Sequence, residues 1–335
     1  MVRFGIMGFG LHAEKRMMPA FSMAKNCKAI ALSRRTMAKA KESSQKWNIP
    51  LAFDSGAELA RSPQVDAVFV TTPNKCHLAD VLTVVAAGKP VLCEKPLAMN
   101  AAECKQMVEA AKKANVPFGV AHIFRFEDSV AKLRNWLAAG QIGTPIFARS
   151  EFSFPGGADH PRKWLHDLDV AGGGPIVDIG VHCVDTLRYI LQDEIVKVSA
   201  RGIHDQLSGR MEAAAILLLE FSRGTLATVS VSFRGAYRTP LEFLGTDGVL
   251  FADNGLTVER PINVLLTRNQ QVVKSETVSN TSAYAMMIDS FANSLAGKEK
   301  FRAPAEEGWQ NQEVLDAAYR SMQSGKTESV RRISV

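Results

Sequence analysis

The 335-residue sequence has no apolar run long enough to cross a membrane. Its longest, Ala213–Leu219, falls far short of the roughly 20 residues that a helical span needs. The start lacks the charged-then-apolar layout of a signal peptide. Met1–Ile6 runs straight into a strand-like pattern, and a cytoplasmic protein is expected. Cysteine is scarce: Cys27, Cys76, Cys93, Cys104 and Cys183 are odd in number and show no C-x-x-C spacing. That pattern speaks against a disulfide framework or a zinc knuckle, and for reduced thiols. Repeats, low-complexity tracts and Ser/Gly linkers are also missing. Nor is there a basic stripe. The 40 Lys and Arg exceed the 34 Asp and Glu, but they are scattered in pairs such as Arg34–Arg35 and Lys112–Lys113. Nucleic acid is therefore not expected as a partner, and neither is a membrane. A mild positive excess suits an anionic small ligand.

What remains is a globular composition, 46% hydrophobic and 22% charged, with room for about two domains. Up to residue 120, strand-like runs alternate with helical ones. The runs Phe4–Met7, Lys28–Leu32, Ala67–Thr71, Val91–Cys93 and Phe118–Val120 predict a parallel sheet with right-handed crossovers. Beyond about residue 121 the texture changes. Between Val196 and Ser275 helical signals are few, and Ala214–Phe221, Thr225–Phe233, Leu241–Gly245 and Val264–Thr267 read as strands of a largely antiparallel sheet. The chain is thus expected to be α/β, with one domain over residues 1–120 and a second over 121–335. The stretch Ala214–Leu219 is too apolar for simple alternation. It suggests a sheet covered on both faces, hence a homodimer or higher homo-oligomer.

Gly8–Phe9–Gly10–Leu11–His12–Ala13 matches G-x-G-x-x-G/A directly after the first strand. The first glycine allows a tight turn, the second lets a pyrophosphate approach the backbone, and a helix N-terminus attracts its charge. At the end of the second strand, Ser33–Arg34–Arg35 contains no carboxylate to accept from a ribose 2′-hydroxyl. Arg34 could instead grip a 2′-phosphate, so NADP is expected as cofactor, with NAD possible.

Glu94–Lys95–Pro96 follows the fourth strand-like run, where open α/β sheets place ligands, and Lys95 there could polarise a reacting oxygen. Downstream, three glycines (Gly172–Gly174) and Pro175 open a helix on which Asp178 and His182, four apart, share a face. Histidine can exchange a proton near neutral pH. Asp185 extends the cluster and raises a metal reading, but it stands about two turns from Asp178, and acid–base chemistry is preferred over a metal. Thr72–Pro73–Asn74 and His77 follow the third strand-like run and would pass beneath a cofactor. Arg125, Trp164 and Tyr284 are further candidates, each balanced between a site role and packing.

In this order and spacing, Gly8-x-Gly10, Thr72–Pro73–Asn74 with His77, the Gly88–Leu97 segment containing Glu94–Lys95–Pro96, and the glycine-led Asp178/His182 helix resemble the glucose–fructose oxidoreductase/inositol dehydrogenase/MocA family. The resemblance covers essentially the whole chain. It is nearest the NADP-using 1,5-anhydrofructose reductases and aldose 1-dehydrogenases, with one departure: Leu165 follows Trp164 where those relatives often carry Arg. The resemblance implies a Rossmann domain joined to an α/β domain with a large, open, mainly antiparallel sheet, often used for oligomerisation. It further implies hydride transfer between a nicotinamide and a sugar or polyol, with Lys95 and His182 as catalytic residues and Asp178 holding a substrate hydroxyl. Some relatives are instead glycosidases with a tightly held NAD, and a few are regulatory dinucleotide sensors.

Overall fold

Short apolar strands linked by capped helices build the first part of the chain. In the computed structural model, which describes residues 1–156 and 162–333, two compact units are formed. The first comprises residues 1–122 with 284–309, the second residues 123–283 with 310 onward.

In the first unit, β1 (Val2–Met7), α1 (Met18–Met23), β2 (Cys27–Ser33), α2 (Met37–Trp47), β3 (Leu51–Phe53), α3 (Gly56–Arg61), β4 (Ala67–Val70), α4 (His77–Ala86), β5 (Val91–Cys93), α5 (Ala101–Lys113) and β6 (Phe118–Val120) follow in sequence. The strands form one parallel sheet in the order β3-β2-β1-β4-β5-β6. This is the doubly wound arrangement, and its direction reverses between β1 and β4, the crevice where such sheets bind ligands. Helix starts follow side-chain chemistry: Thr36, Ser55 and Asn100 each accept from the backbone N–H three residues on, capping α2, α3 and α5. Five strands were expected. The sixth, β3, has three half-buried residues, too few for a periodic signal.

The second unit contains α6 (Asp128–Ala138), β7 (Pro145–Ser153), α7 (Leu168–Ala171), α8 (Val181–Leu191), β8 (Ile195–Ile203), β9 (Ala214–Phe221), β10 (Leu226–Ser232), β11 (Leu241–Gly245), β12 (Val249–Ala252), β13 (Pro261–Arg268) and β14 (Gln271–Ser279). They are followed by α9 (Ala283–Leu295), α10 (Ala305–Ser324) and β15 (Glu328–Ser329). Nine strands form a sheet in the order β14-β13-β12-β11-β7-β10-β9-β8-β15, antiparallel except at β7/β10. Helices α6 and α8 pack on one face. On the other face, described side chains remain exposed. On β9, Ala215, Leu217 and Leu219 are buried, while Ile216 and Leu218 are 58% and 48% exposed. The stretch therefore alternates after all, with apolar side chains on both sides of the pleat. The second face would be covered only by another copy of the chain.

Most of α9 packs in the first unit, although it follows the second in sequence. Phe291 brings its ring to 6.2 Å from that of Phe4 on β1. The Asp289 carboxylate accepts from the backbone N–H groups of Lys25 and Asn26, each at 2.8 Å.

Candidate functional site

The turn after β1 is set by contacts that only glycine permits. Gly8 has φ +83°, and a Cβ there would overlap Thr72 in the loop after β4. Its N–H donates to Ser33 Oγ at 3.3 Å, while the Phe9 N–H donates to the Ser33 carbonyl at 2.8 Å. Ser33 thus locks the turn to the end of β2 and is itself buried. A Cβ added to Gly10 would meet nothing closer than the Gly8 carbonyl oxygen at 3.7 Å, so the space before its backbone is open. Gly8, Gly10, Leu11, His12, Thr72 and Pro73 all keep accessible surface, while Asn74 is buried. An open backbone cradle at a helix start, on the switch point of a parallel sheet, fits a dinucleotide pyrophosphate.

Around this turn the expected residues converge. His12 Nε2 lies 2.8 Å from Glu94 Oε1, and its ring meets that of Tyr284 edge-on at 6.1 Å. Burial opposes ionisation of Glu94, but the neighbouring charges and hydrogen bonds of His12 and Lys95 outweigh it and hold the carboxyl below its usual range. Lys95 is half-buried, and its backbone N–H donates to Glu94 Oε2 at 3.2 Å. Arg34 is 27% exposed, and its Nη1 donates to Ser43 Oγ at 2.6 Å.

His77 behaves differently from the other candidates. It has no exposed surface, and its ring nitrogens lie 2.9 Å from the carbonyl oxygens of Thr72 and Pro96. Burial pushes its pKa down, against the pull of these two carbonyls. It braces the loop after β4 to the Lys95 loop; direct contact with a cofactor is closed to it.

In the second unit, Asp178 lies in a π-helical turn (Ile176–Gly180) and His182 in the first turn of α8, which continues it. Such turns recur at functional sites. His182 is 8% and Asp178 6% exposed. The imidazole has Phe124 edge-on at 4.5 Å and Phe152 stacked at 6.1 Å, and Arg162 Nη2 faces Asp178 Oδ2 at 3.9 Å. The three glycines were expected to bring backbone close to something, and that partner is protein. A Cβ on Gly173 would overlap the Tyr319 hydroxyl, and one on Gly174 the Glu212 carbonyl. Glu212, 2% exposed, accepts from the N–H groups of Gly174 and Ile176 and from Tyr319 Oη, and so anchors the start of this helix.

Arg125 is 4% exposed and grips Asp185 with Nε and Nη2, the closest contact being 2.7 Å. Asn311 donates to the same carboxylate at 2.8 Å. Arg125 therefore holds α8 from inside the second unit and offers almost no surface to a ligand; Asp185 is engaged by these partners. Trp164 is half-buried, and Leu165 after it is core. Glu212, Tyr319, Arg162, Phe124 and Phe152 were not singled out from the sequence. Only the glycine triplet hinted at the first two.

Comparison with known proteins decides what this pair of units is. Residues 2–122 match the model described as "Oxidoreductase family, NAD-binding Rossmann fold", and residues 130–251 match the GFO/IDH/MocA C-terminal domain. The 1,5-anhydro-D-fructose reductase of Ensifer adhaerens is 34% identical over 254 residues, 75% of each chain. The chain belongs to the GFO/IDH/MocA oxidoreductase family. D-xylose 1-dehydrogenase (NADP(+)) 2 of Haloferax volcanii is 29% identical over 331 residues, covering 96% of this chain and 98% of that one. The crystal structure of the aldose-aldose oxidoreductase of Caulobacter crescentus has the same fold, with a TM-score of 0.91 over 98% of this chain and 99% of that one, at 23% identity. Members of the family named dehydrogenase or reductase dominate these relatives, and the chain is an NAD(P)-dependent oxidoreductase. Among the described residues, no helix is long and apolar enough to cross a membrane.

Proposed function

We propose that this enzyme uses NADP(H) to interconvert a carbonyl and a hydroxyl on a sugar or polyol. The observation that carries the choice of NADP is the end of β2. Ser33–Arg34–Arg35 offers no carboxylate to a ribose 2′-hydroxyl, and the half-exposed Arg34 guanidinium can fork onto a 2′-phosphate. NAD would occupy the same turn without that contact. The substrate class is supported by relatives named for sugars and their derivatives.

In this reading Gly8, Gly10, Leu11 and His12 hold the pyrophosphate, Ser33 and Arg34 the adenosine end, and Thr72, Pro73, Asn74, Glu94, Lys95, Trp164 and Tyr284 the remainder. Bound there, the nicotinamide supplies or accepts the hydride. The Lys95 ammonium donates to the reacting substrate oxygen and polarises it. His182 gives that oxygen its proton in reduction and removes it in oxidation. Asp178 accepts from a neighbouring substrate hydroxyl, with the Arg162 guanidinium balancing its charge. Positioning and a polarised oxygen supply most of the rate.

The open face of the second unit's sheet is where a second copy of the chain would sit. Phe147, Ile216, Leu218 and Leu226 are exposed there beside Lys197 and Glu220, an apolar centre with charges of both signs that a two-fold axis could pair.

A panel of aldoses, ketoses and polyols, followed at the nicotinamide absorbance with both cofactors, tests the function. Turnover of at least one sugar or polyol with NADP(H) preferred is expected. Turnover with NAD(H) alone, or of none of the panel, overturns the proposal.

A further inference from the structure

Glu14 stands four residues after Gly10, on the helix that leaves the cofactor turn. Its Oε2 accepts from Lys46 Nζ at 3.0 Å, and its Oε1 lies 3.9 Å from Arg34 Nη1. The same Arg34 nitrogen donates to Ser43 Oγ, and Ser43 is buried in the middle of α2. One carboxylate, 23% exposed, therefore faces two cations at the edge of the sheet where β2 ends. Neither the G-x-G motif nor the end of β2 accounts for an acid at this place.

We propose that Glu14 is a specificity-determining residue that weakens binding of 2′-phosphorylated dinucleotides and thereby keeps NAD in competition with NADP. This rests on the reading of Arg34 as the 2′-phosphate contact. A phosphomonoester carries between one and two negative charges at neutral pH. Arg34 Nη1 is already engaged by Ser43, so a phosphate has the remaining guanidinium N–H groups and must share both cations with Glu14, whose own charge repels it. A free 2′-hydroxyl is uncharged and meets neither obstacle. At separations of a few ångströms and partial exposure, removing one such like charge is worth roughly a factor of ten in affinity. The loss of the Glu14–Lys46 and Glu14–Arg34 pairs should matter little to folding, because Lys46 is exposed and the Arg34 contact is long, at 3.9 Å. Glutamine also keeps the shape.

Isothermal titration of the intact enzyme with NADP+ and with NAD+ tests this in Glu14→Gln, Arg34→Ala and the double variant. Glu14→Gln should bind NADP+ about tenfold tighter and NAD+ less than about threefold tighter. Its NADP+ affinity should also fall more steeply with salt than that of the wild type, because a net attractive charge has been uncovered. Unchanged or weaker NADP+ binding, or equal tightening for both dinucleotides, overturns the role of Glu14. Arg34→Ala reports separately on the underlying reading. If it weakens both dinucleotides equally, Arg34 is not the phosphate contact, whereas a selective gain in Glu14→Gln still stands as opposition between Glu14 and the phosphate. If Arg34→Ala selectively weakens NADP+ and the gain from Glu14→Gln shrinks in the double variant, both assignments hold.

Discussion

The Tyr319 hydroxyl lies 3.0 and 3.2 Å from the two carboxylate oxygens of Glu212, the same oxygens that receive the N–H groups of Ile176 and Gly174. Burial pushes the Glu212 carboxyl up, and the backbone and Tyr319 hydrogen bonds pull it back. A tyrosine on α10 thus fastens an acid that in turn fastens the helix of Asp178 and His182. Any side chain at Gly173 must enter the space of that hydroxyl.

Gly173→Ala should therefore destabilise the protein by about 1–3 kcal/mol, the usual cost of overpacking. Gly173 is not among the positive-φ glycines, so overlap with the Tyr319 hydroxyl and Val177 is the expected cause. Thermal melting of Gly173→Ala, alone and together with Tyr319→Phe, checks it. A loss that Tyr319→Phe leaves unchanged would remove the hydroxyl from the explanation.

Lys95→Ala and His182→Asn should each lower turnover by about a hundredfold or more, the usual size of general acid–base catalysis. NADPH affinity should change little in His182→Asn and far less than turnover in Lys95→Ala, because the Gly8–Gly10 turn is untouched. Turnover, affinity and melting temperature measured on one preparation separate chemistry from folding. A Lys95→Ala enzyme with near-normal turnover would end its assignment.

The depressed Glu94 carboxyl makes a prediction about acid stability. An unfolded glutamate takes up its proton near pH 4.5, whereas the folded one resists until lower pH. The unfolded chain then binds more protons, so stability present above pH 4.5 is lost as the pH falls through the folded value. The gap in melting temperature between wild type and Glu94→Gln, measured without cofactor, should shrink as the pH is lowered from 7 to 3. A gap that stays constant would contradict the shift.

Asp289→Ala strips the backbone N–H groups of Lys25 and Asn26 of their acceptor. Denaturant unfolding should show a loss of about 1–3 kcal/mol, the cost of unmade hydrogen bonds to a charged group. A loss within error would mean that water replaces the carboxylate without penalty.

If a second copy covers the open sheet face, Leu218→Asp should shift the mass measured by light scattering at micromolar concentration from oligomer to monomer. The melting temperature of the dissociated chain should fall. A wild-type monomer under the same conditions would refute the interface.

The parts of the fold set by local periodicity could be read from residues alone. The alternation up to Val120 predicted the parallel sheet, and Gly8–Gly10 and Ser33–Arg34 predicted the turn at its switch point. What escaped the reading depends on contacts between distant positions. His77 sits at a helix start like a ligand contact, yet the carbonyls of Thr72 and Pro96 enclose it. Arg125 follows a strand as a cofactor contact might, but its partner Asp185 is 60 residues away. Glu212 and Tyr319 are separated by 107 residues, and no spacing rule connects them. The roles proposed for Lys95, Asp178 and His182 rest on family resemblance more than on their spacing.

The return of residues 284–309 to the first unit bears on how the protein is made. A ribosome that has released β1–β6 has produced a complete parallel sheet and the Phe21 ring beside Phe4, but neither the second ring that Phe4 packs against nor the acceptor for Lys25 and Asn26. Those arrive only after the whole of the second unit's sheet up to β14 has been synthesised. The first unit must wait, with part of the surface around Phe4 uncovered, until residues 284–309 emerge. Shortening the chain before Asp289 would prolong that exposure indefinitely and favour capture by chaperones or aggregation over a functional fragment.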